Sequence, residues 1–175
     1  CFKSLPKEPL NGSEADGFLC FSEKDVPYYE AMGRSKLHPI GYPRMFHTWL
    51  ERVKSEATEY LRHECGDDCE RDVVPLFLGS SVEGIFGYEE LEKWILDAVT
   101  VLRKLLPDSI ILVKPHPTED IARLNLLLDR IDDSRVRLTY LHVSPLTYQA
   151  RFVVAHHSST IIDALAVGKP VIQFQ

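Results

Sequence analysis

The chain has 175 residues, of which 45% are hydrophobic and 26% are charged, and its 20 Lys and Arg against 26 Asp and Glu give a net charge of −6. These values are typical of a globular chain that buries one sizeable core. No apolar run approaches the ~20 residues of a membrane helix, so the sequence predicts at most peripheral contact with a membrane. The negative charge argues against nucleic acid as the main partner.

Cysteine usage indicates a reducing compartment. The four cysteines, Cys1, Cys20, Cys65 and Cys69, show no spacing typical of a disulfide-rich fold. His63 lies close to two of them, but no second Cys/His pair supplies the remaining ligands of a zinc site. The sequence therefore predicts a cytoplasmic protein without a metal site.

The first third of the chain predicts a small α/β segment and a long amphipathic helix. Residues 1–16 are polar and lack periodicity, so we expect a loop there. Apolar residues recur every three to four positions over 44–62, which is the spacing of one helix face. The other expected elements are strands at 17–21 and 37–40 and a short helix that starts after 22–25 and ends at Gly33.

From residue 70 onward, apolar strands alternate with amphipathic helices. We predict strands at 73–78, 109–114, 136–140, 151–155 and 171–174, and helices at 89–106, at 118–131, from Ser144 and at 159–167. Such an alternation is typical of a parallel sheet that is covered on both faces. The predicted fold is a doubly wound, Rossmann-like α/β domain, whose ligands bind beyond the carboxyl ends of the strands.

A glycine-rich loop follows the first strand of this domain. Residues 79–84 read Gly-Ser-Ser-Val-Glu-Gly, and small residues allow backbone amides to approach a phosphate. The segment lacks the spacing of a dinucleotide fingerprint and the Lys-Ser/Thr ending of a P-loop. Ser80 is therefore a candidate phosphate ligand, and a plain flexible connection is the alternative.

The second strand runs into the sequence Lys-Pro-His-Pro at 114–117. Two prolines restrict the backbone on either side of His116 and hold the imidazole near the sheet edge. Such a histidine can donate to a phosphate oxygen or protonate a leaving group near neutral pH. The alternative is a rigid turn whose histidine caps the next helix.

The fourth strand runs into two histidines and three hydroxyl residues at 156–160. Ser158, Ser159 and Thr160 would place O–H and N–H donors at the start of a helix, an arrangement that favours an anion. A simple N-cap is the alternative. Asp163, about one turn later, either accepts hydrogen bonds from a ribose or acts as a first-turn acid that favours the helix dipole.

These motifs together resemble a family of bacterial enzymes. The sequences at 114–117, 157–165 and 168–171 resemble the donor-binding half of glycosyltransferase-B-fold transferases of surface polysaccharide synthesis. The nearest groups are the capsule-polysaccharide, sialyl- and Kdo-transferases and the CDP-glycerol glycerophosphotransferases. Residues 40–44 look like the entry of the last group into its second domain.

The resemblance implies a division of the chain and roles for its residues. Residues 1–43 would end an N-terminal Rossmann-like domain and its linker, and 44–175 would form the C-terminal donor-binding domain, incomplete at its C-terminus. His116 would contact the donor phosphate or assist the leaving group. Ser158, Ser159, Thr160 and Ser80 are the candidate phosphate ligands, and Asp163, Pro117 and His157 are the candidates for facing the ribose or base.

The implied activity is a glycosyl or glycerophosphate transfer from a CMP-, CDP- or UDP-linked donor, without a cofactor, in capsule or other surface polymer synthesis. The polysaccharide or lipid-linked acceptor would bind through the missing N-terminal domain, so we expect this fragment to be inactive alone. The reaction would take place in the cytoplasm, at or near the inner face of the membrane. The alternatives are an enzyme resembling a UDP-sugar 2-epimerase and a non-catalytic nucleotide-binding or scaffold module.

Overall fold

The computed structural model describes residues 17–79, 87–156 and 158–173, with the side chains of Asp67 and Cys69 excepted. The chain divides into two compact units, Cys1–Phe46 and His47–Gln175. No helix in the described part of the chain has both the length and the apolarity that a membrane span requires.

The first unit is a small parallel β-α-β arrangement. Strand β1 (Phe18–Cys20) pairs in parallel with β2 (Leu37–Pro39), and helix α1 (Val26–Ala31) connects them. Gly33 follows this helix with φ +76°, a left-handed conformation that glycine adopts without steric cost. The predicted strands and the predicted helix end are confirmed here.

The second unit contains five helices and five strands in its described residues. The helices are α2 (His47–Cys65), α3 (Tyr88–Leu105), α4 (Ile121–Ile131), α5 (Val143–Gln149) and α6 (Ile161–Ala166). The strands are β3 (Val73–Phe77), β4 (Ile110–Lys114), β5 (Val136–Leu138), β6 (Val153–Ala155) and β7 (Val171–Gln173).

All five strands are parallel and lie in the order β5-β4-β3-β6-β7. The chain first runs outward from β3 to β5 and then returns to the other side of β3 to continue with β6 and β7. This reversal between β3 and β6 is the topological switch point of a doubly wound sheet. The predicted Rossmann-like α/β fold is confirmed.

Two hydrophobic clusters cover the two faces of the sheet because successive strand residues point to opposite sides. Val74 and Leu76 of β3 pack with α3 and α4, whereas Val73 and Phe77 pack with residues of α2, α5 and α6. The near-continuous burial of β3 and β4 follows from this two-sided covering.

Three predicted helices start later than the sequence indicated. A 3-10 turn at Pro43–Met45 precedes α2, which the sequence placed at 44–62. Helix α4 begins after its N-cap Asp120, whose carboxylate accepts from the amide of Arg123 at 3.2 Å. Helix α6 begins at Ile161 and not at Ser159. Start positions depend on which side chain captures the first amides, and several candidates compete at each start.

Ion pairs between arginines and aspartates cover the amino edge of the sheet. We call these residues the amino-edge network: Arg71, Arg103, Arg135, Arg137 and Arg151 with Asp68, Asp72, Asp108 and Asp133. Some of its arginines also donate to backbone carbonyls, as Arg103 does to Ser109 at 2.7 Å. The network ties together the segments that enter four neighbouring strands.

Asp133 lies at the centre of this network. It pairs with both Arg103 and Arg135 and is 20% exposed. Burial alone would raise the pKa of this carboxyl, but hydrogen bonds from the Arg135 amide and from the two guanidinium groups lower it below its usual value of 3.8. Its charged form is therefore favoured by the fold.

Candidate functional site

Three strands end side by side at the carboxyl edge of the five-stranded sheet. Phe77 in β3 pairs with Lys114 in β4 and with Ala155 in β6. Because neighbouring strands lie ~4.8 Å apart, the ends of β4 and β6 are roughly 10 Å apart, with β3 between them. The loops that carry His116 and Ser158 thus leave the sheet on the two sides of β3, next to the switch point.

The imidazole of His116 is fixed by its own loop. The amide of Thr118 donates to Nδ1 at 3.3 Å, and the Thr118 hydroxyl lies 2.8 Å from the same nitrogen. Since Nδ1 accepts from the amide, the neutral ring carries its proton on Nε2. His116 is half-buried, and in this tautomer Nε2 is the hydrogen-bond donor of the ring.

The backbone around His116 forms a tight turn. The amide of Glu119 donates to the carbonyl of His116 at 3.0 Å, and the flanking Pro115 and Pro117 restrict the chain further. Pro117 is exposed, and Glu119 is buried at 6% exposure. The loop is therefore held by its own hydrogen bonds and by the burial of Glu119.

Ser158, Ser159 and Thr160 form a turn before α6. The Thr160 hydroxyl donates to Oγ of Ser158 at 2.8 Å, and the Thr160 amide approaches the same atom at 3.4 Å. Thr160 is the N-cap of α6 but makes no side-chain capping bond, and Ser159 is exposed. Of the three candidate phosphate ligands in this turn, Ser158 and Thr160 are thus hydrogen-bonded to each other, and Ser159 faces outward.

Asp163 lies inside the protein. Its side chain is 4% exposed, and its Oδ1 is 3.5 Å from Oγ of Ser144 on α5, a distance at which the hydroxyl donates weakly. This contact connects α6 to α5. The predicted contact of Asp163 with a ribose stays a prediction.

Two further predicted ligands, Ser80 and His157, lie outside the described residues. Their neighbours show where the strands lead. The amide of Leu78 donates to the carbonyl of Lys114, and the amide of His156 donates to the carbonyl of Phe77. Leu78 and His156 therefore come directly after strands of the switch point, and the predicted roles of Ser80 and His157 stay predictions.

Lys114 is the first residue of the Lys-Pro-His-Pro motif, and the structure places it at this edge. Its side chain is half-buried at the end of β4. Burial lowers the pKa of this ammonium group below its usual value of 10.5, and the nearby charge of Glu64 on α2 opposes that change. Its position as the last residue of a buried strand was the signal in the sequence that could have marked it.

His156 is directed into the core and away from solvent. The residue is 1% exposed, and its ring lies 5.2 Å from that of Trp94 on α3, measured between centroids, at 60°. This edge-to-face geometry is a favourable arrangement for two aromatic rings.

No known family model matches the chain, and no curated protein matches it at a significant level. Solved structures do match. The chain shares its fold with the wall teichoic acid polymerase TagF. A histidine-to-asparagine variant and a histidine-to-alanine variant of TagF each align with a TM-score of 0.64 at 18% identity.

These alignments cover 91% of this chain and 39% of the TagF chain. A TagF structure soaked with CDPG for 30 minutes aligns with a TM-score of 0.60 at 18% identity, over 91% of this chain and 37% of TagF. At this identity the likeness shows the fold. The chain spans well under half of the length of TagF.

Proposed function

We propose that this chain forms the donor-binding part of a transferase. The enzyme moves a glycosyl or glycerol phosphate group from a nucleotide-activated donor, with CMP, CDP or UDP as the leaving nucleotide, to a polysaccharide or lipid-linked acceptor in surface polymer synthesis. The observation that carries the proposal is the position of two loops whose residues can donate hydrogen bonds. The loop with His116 and the loop with Ser158–Thr160 leave the sheet on the two sides of β3 at the carboxyl edge.

The reaction is a displacement at the activated carbon or phosphorus of the donor. A hydroxyl oxygen of the acceptor forms the new bond, and the bond between the transferred group and the nucleotide phosphate breaks. The electron pair of that bond stays on the phosphate oxygen, and the hydroxyl proton passes to a base that we do not assign to this chain. Negative charge therefore grows on the departing nucleotide.

His116 and the hydroxyl residues are suited to stabilise this charge. Nε2 of His116 carries a proton in the neutral ring, and Ser159 is exposed beside the switch point. A hydrogen bond to such a charge contributes about 1.5–3 kcal/mol. Because these donors are fixed before the reaction, they need little reorganisation as the charge develops.

A CDP-linked donor is the first one to test, since TagF, whose fold the chain shares, was soaked with CDPG. The experiment is a calorimetric titration of the chain with CDP-glycerol, CDP, CMP and UDP, with ADP as a comparison. We expect binding of at least one pyrimidine nucleotide. Chemical-shift changes should then appear together at 115–118 and 158–163.

Serine-to-alanine variants test the hydroxyl residues, with an exposed serine on α2 as the control. The double variant Ser158→Ala/Ser159→Ala should weaken nucleotide affinity about ten- to a hundredfold, whereas Ser55→Ala, on the outer side of α2, should leave it unchanged. No heat with any nucleotide would favour a scaffold module instead. Conversion of a UDP-sugar to an isomer without an acceptor would favour the epimerase.

A further inference from the structure

Tyr88 connects the helix after β3 to the loop that carries His116. Its Oη accepts a hydrogen bond from the amide of Asp120 at 2.9 Å, across 32 positions of sequence. Asp120 is the N-cap of α4, so its own amide has no acceptor within the helix. The phenol oxygen of Tyr88 therefore accepts from a backbone amide that has no partner within α4.

This hydrogen bond is the last of three that hold consecutive amides. The amide of Thr118 donates to the His116 ring, that of Glu119 donates to the His116 carbonyl, and that of Asp120 donates to Tyr88. The first two bonds fix the shape of the loop. The third attaches the loop to α3.

The ring of Tyr88 is itself held in place. The guanidinium carbon of Arg123 lies 4.5 Å from the ring centroid, and Nε of Arg123 donates to Glu92 at 2.7 Å. Arg130 donates to the other carboxylate oxygen of Glu92 at 3.1 Å. These hydrogen bonds lower the pKa of the Glu92 carboxyl, and the bond from Arg123 has the largest effect. Glu92 is therefore charged near neutral pH and holds Arg123 against the ring of Tyr88.

We propose that Tyr88 is a positioning residue, whose hydroxyl holds the loop of His116 in the orientation that presents Nε2 at the carboxyl edge. This inference rests on the proposed function, because that function gives Nε2 its role. Tyr88 is the first residue of α3.

The test compares Tyr88→Phe with Tyr60→Phe. Phenylalanine keeps the ring under Arg123 and removes only the acceptor, and Tyr60 is an exposed tyrosine on α2. In Tyr88→Phe we expect shifted or broadened imidazole resonances of His116 in NMR spectra, and nucleotide affinity weakened about three- to tenfold. Tyr60→Phe should match the wild type in both measurements.

The measurements on Tyr88→Phe can support or overturn the positioning role of Tyr88. Imidazole resonances and a pH titration of His116 in Tyr88→Phe that coincide with those of the wild type would overturn the proposal. Altered His116 resonances in a chain that binds no nucleotide would support the positioning role and overturn the proposed function. Amide exchange of Asp120 in the wild type is an independent check, because the hydrogen bond should protect it; exchange at the rate of an unstructured peptide would contradict the proposal.

Discussion

At the amino edge of the five-stranded sheet, arginines and aspartates bind one another, whereas at the carboxyl edge the polar groups are held by their own loops. The amino-edge network pairs Asp133 with two guanidinium groups, and neighbouring pairs extend across four strands. At the carboxyl edge, His116 and Thr160 make short-range bonds that orient a donor and leave Ser159 exposed. The comparison predicts that one edge stabilises the fold and the other binds the ligand.

Removal of the His116 ring should show the largest difference between the two edges in their effects on nucleotide affinity and on stability. His116→Ala should weaken nucleotide affinity about ten- to a hundredfold, because the variant removes the hydrogen bond that we propose between His116 and the donor phosphate. Thermal unfolding should change little, since the ring lies at the surface of the sheet edge. His47→Ala, whose side chain is 87% exposed on α2, is the control. Equal affinities of both variants would remove the functional assignment of the carboxyl edge.

The opposite result is expected at the amino edge. Asp133→Asn should lower the free energy of unfolding by about 1–3 kcal/mol, because Arg103 and Arg135 lose the charge that they share. Nucleotide affinity should stay within about twofold of the wild type. Asp108→Asn is the matched control, since Asp108 is 88% exposed and contacts Arg135 at 3.7 Å. A fully stable Asp133→Asn variant would mean that the network does not contribute to stability.

Lowering the pH should weaken the ion pairs of Glu92 and Asp133 gradually, with a smaller effect on stability than the Asp133→Asn substitution. The pKa values of Glu92 and Asp133 are lowered in the fold from 4.5 and 3.8. The stability that they contribute is complete above those usual values and is lost as the pH falls through the lowered ones. Urea unfolding midpoints should therefore decrease below about pH 4.5, and Asp133→Asn should flatten this decrease. An identical pH profile in the variant would contradict the role of Asp133.

The smallest effect is expected at Lys114. Because burial disfavours its charged form, Lys114→Met should not lower the free energy of unfolding. Nucleotide affinity should fall, because the variant removes a positive charge from the edge where we propose that the donor phosphate binds. The exposed Lys54→Met on α2 should change neither quantity. A loss of stability in Lys114→Met would show that this lysine stabilises the fold, as the ion pairs of the amino edge are expected to do.

The sequence predicted the order of elements well because periodicity is local. Strands β3 and β4 and the amphipathic helix α3 are recognisable from residues within one window of the chain. The start of α6 was wrong by two positions because the hydroxyls of Ser158 and Thr160 bind each other before the helix begins.

The long-range contacts could not be predicted in this way. Tyr88 and Asp120 are 32 positions apart, and Arg151 and Asp72 are 79 apart, so neither pairing leaves a periodic pattern. The sequence placed His116 and Ser158 correctly after their strands, since strand ends follow from the alternation of elements. Which donors point outward depends on hydrogen bonds that form only when the chain has folded.

The edge-to-face contact of His156 with Trp94 gives the protein an internal fluorescent reporter. The chain has two tryptophans: Trp94 is 5% exposed behind the end of β6, and Trp49 is 38% exposed on α2. A Trp49→Phe variant would leave a single buried emitter in ring contact with the residue that ends the switch-point strand. Any rearrangement of that strand end should then appear as a change in emission intensity, without a label and in real time.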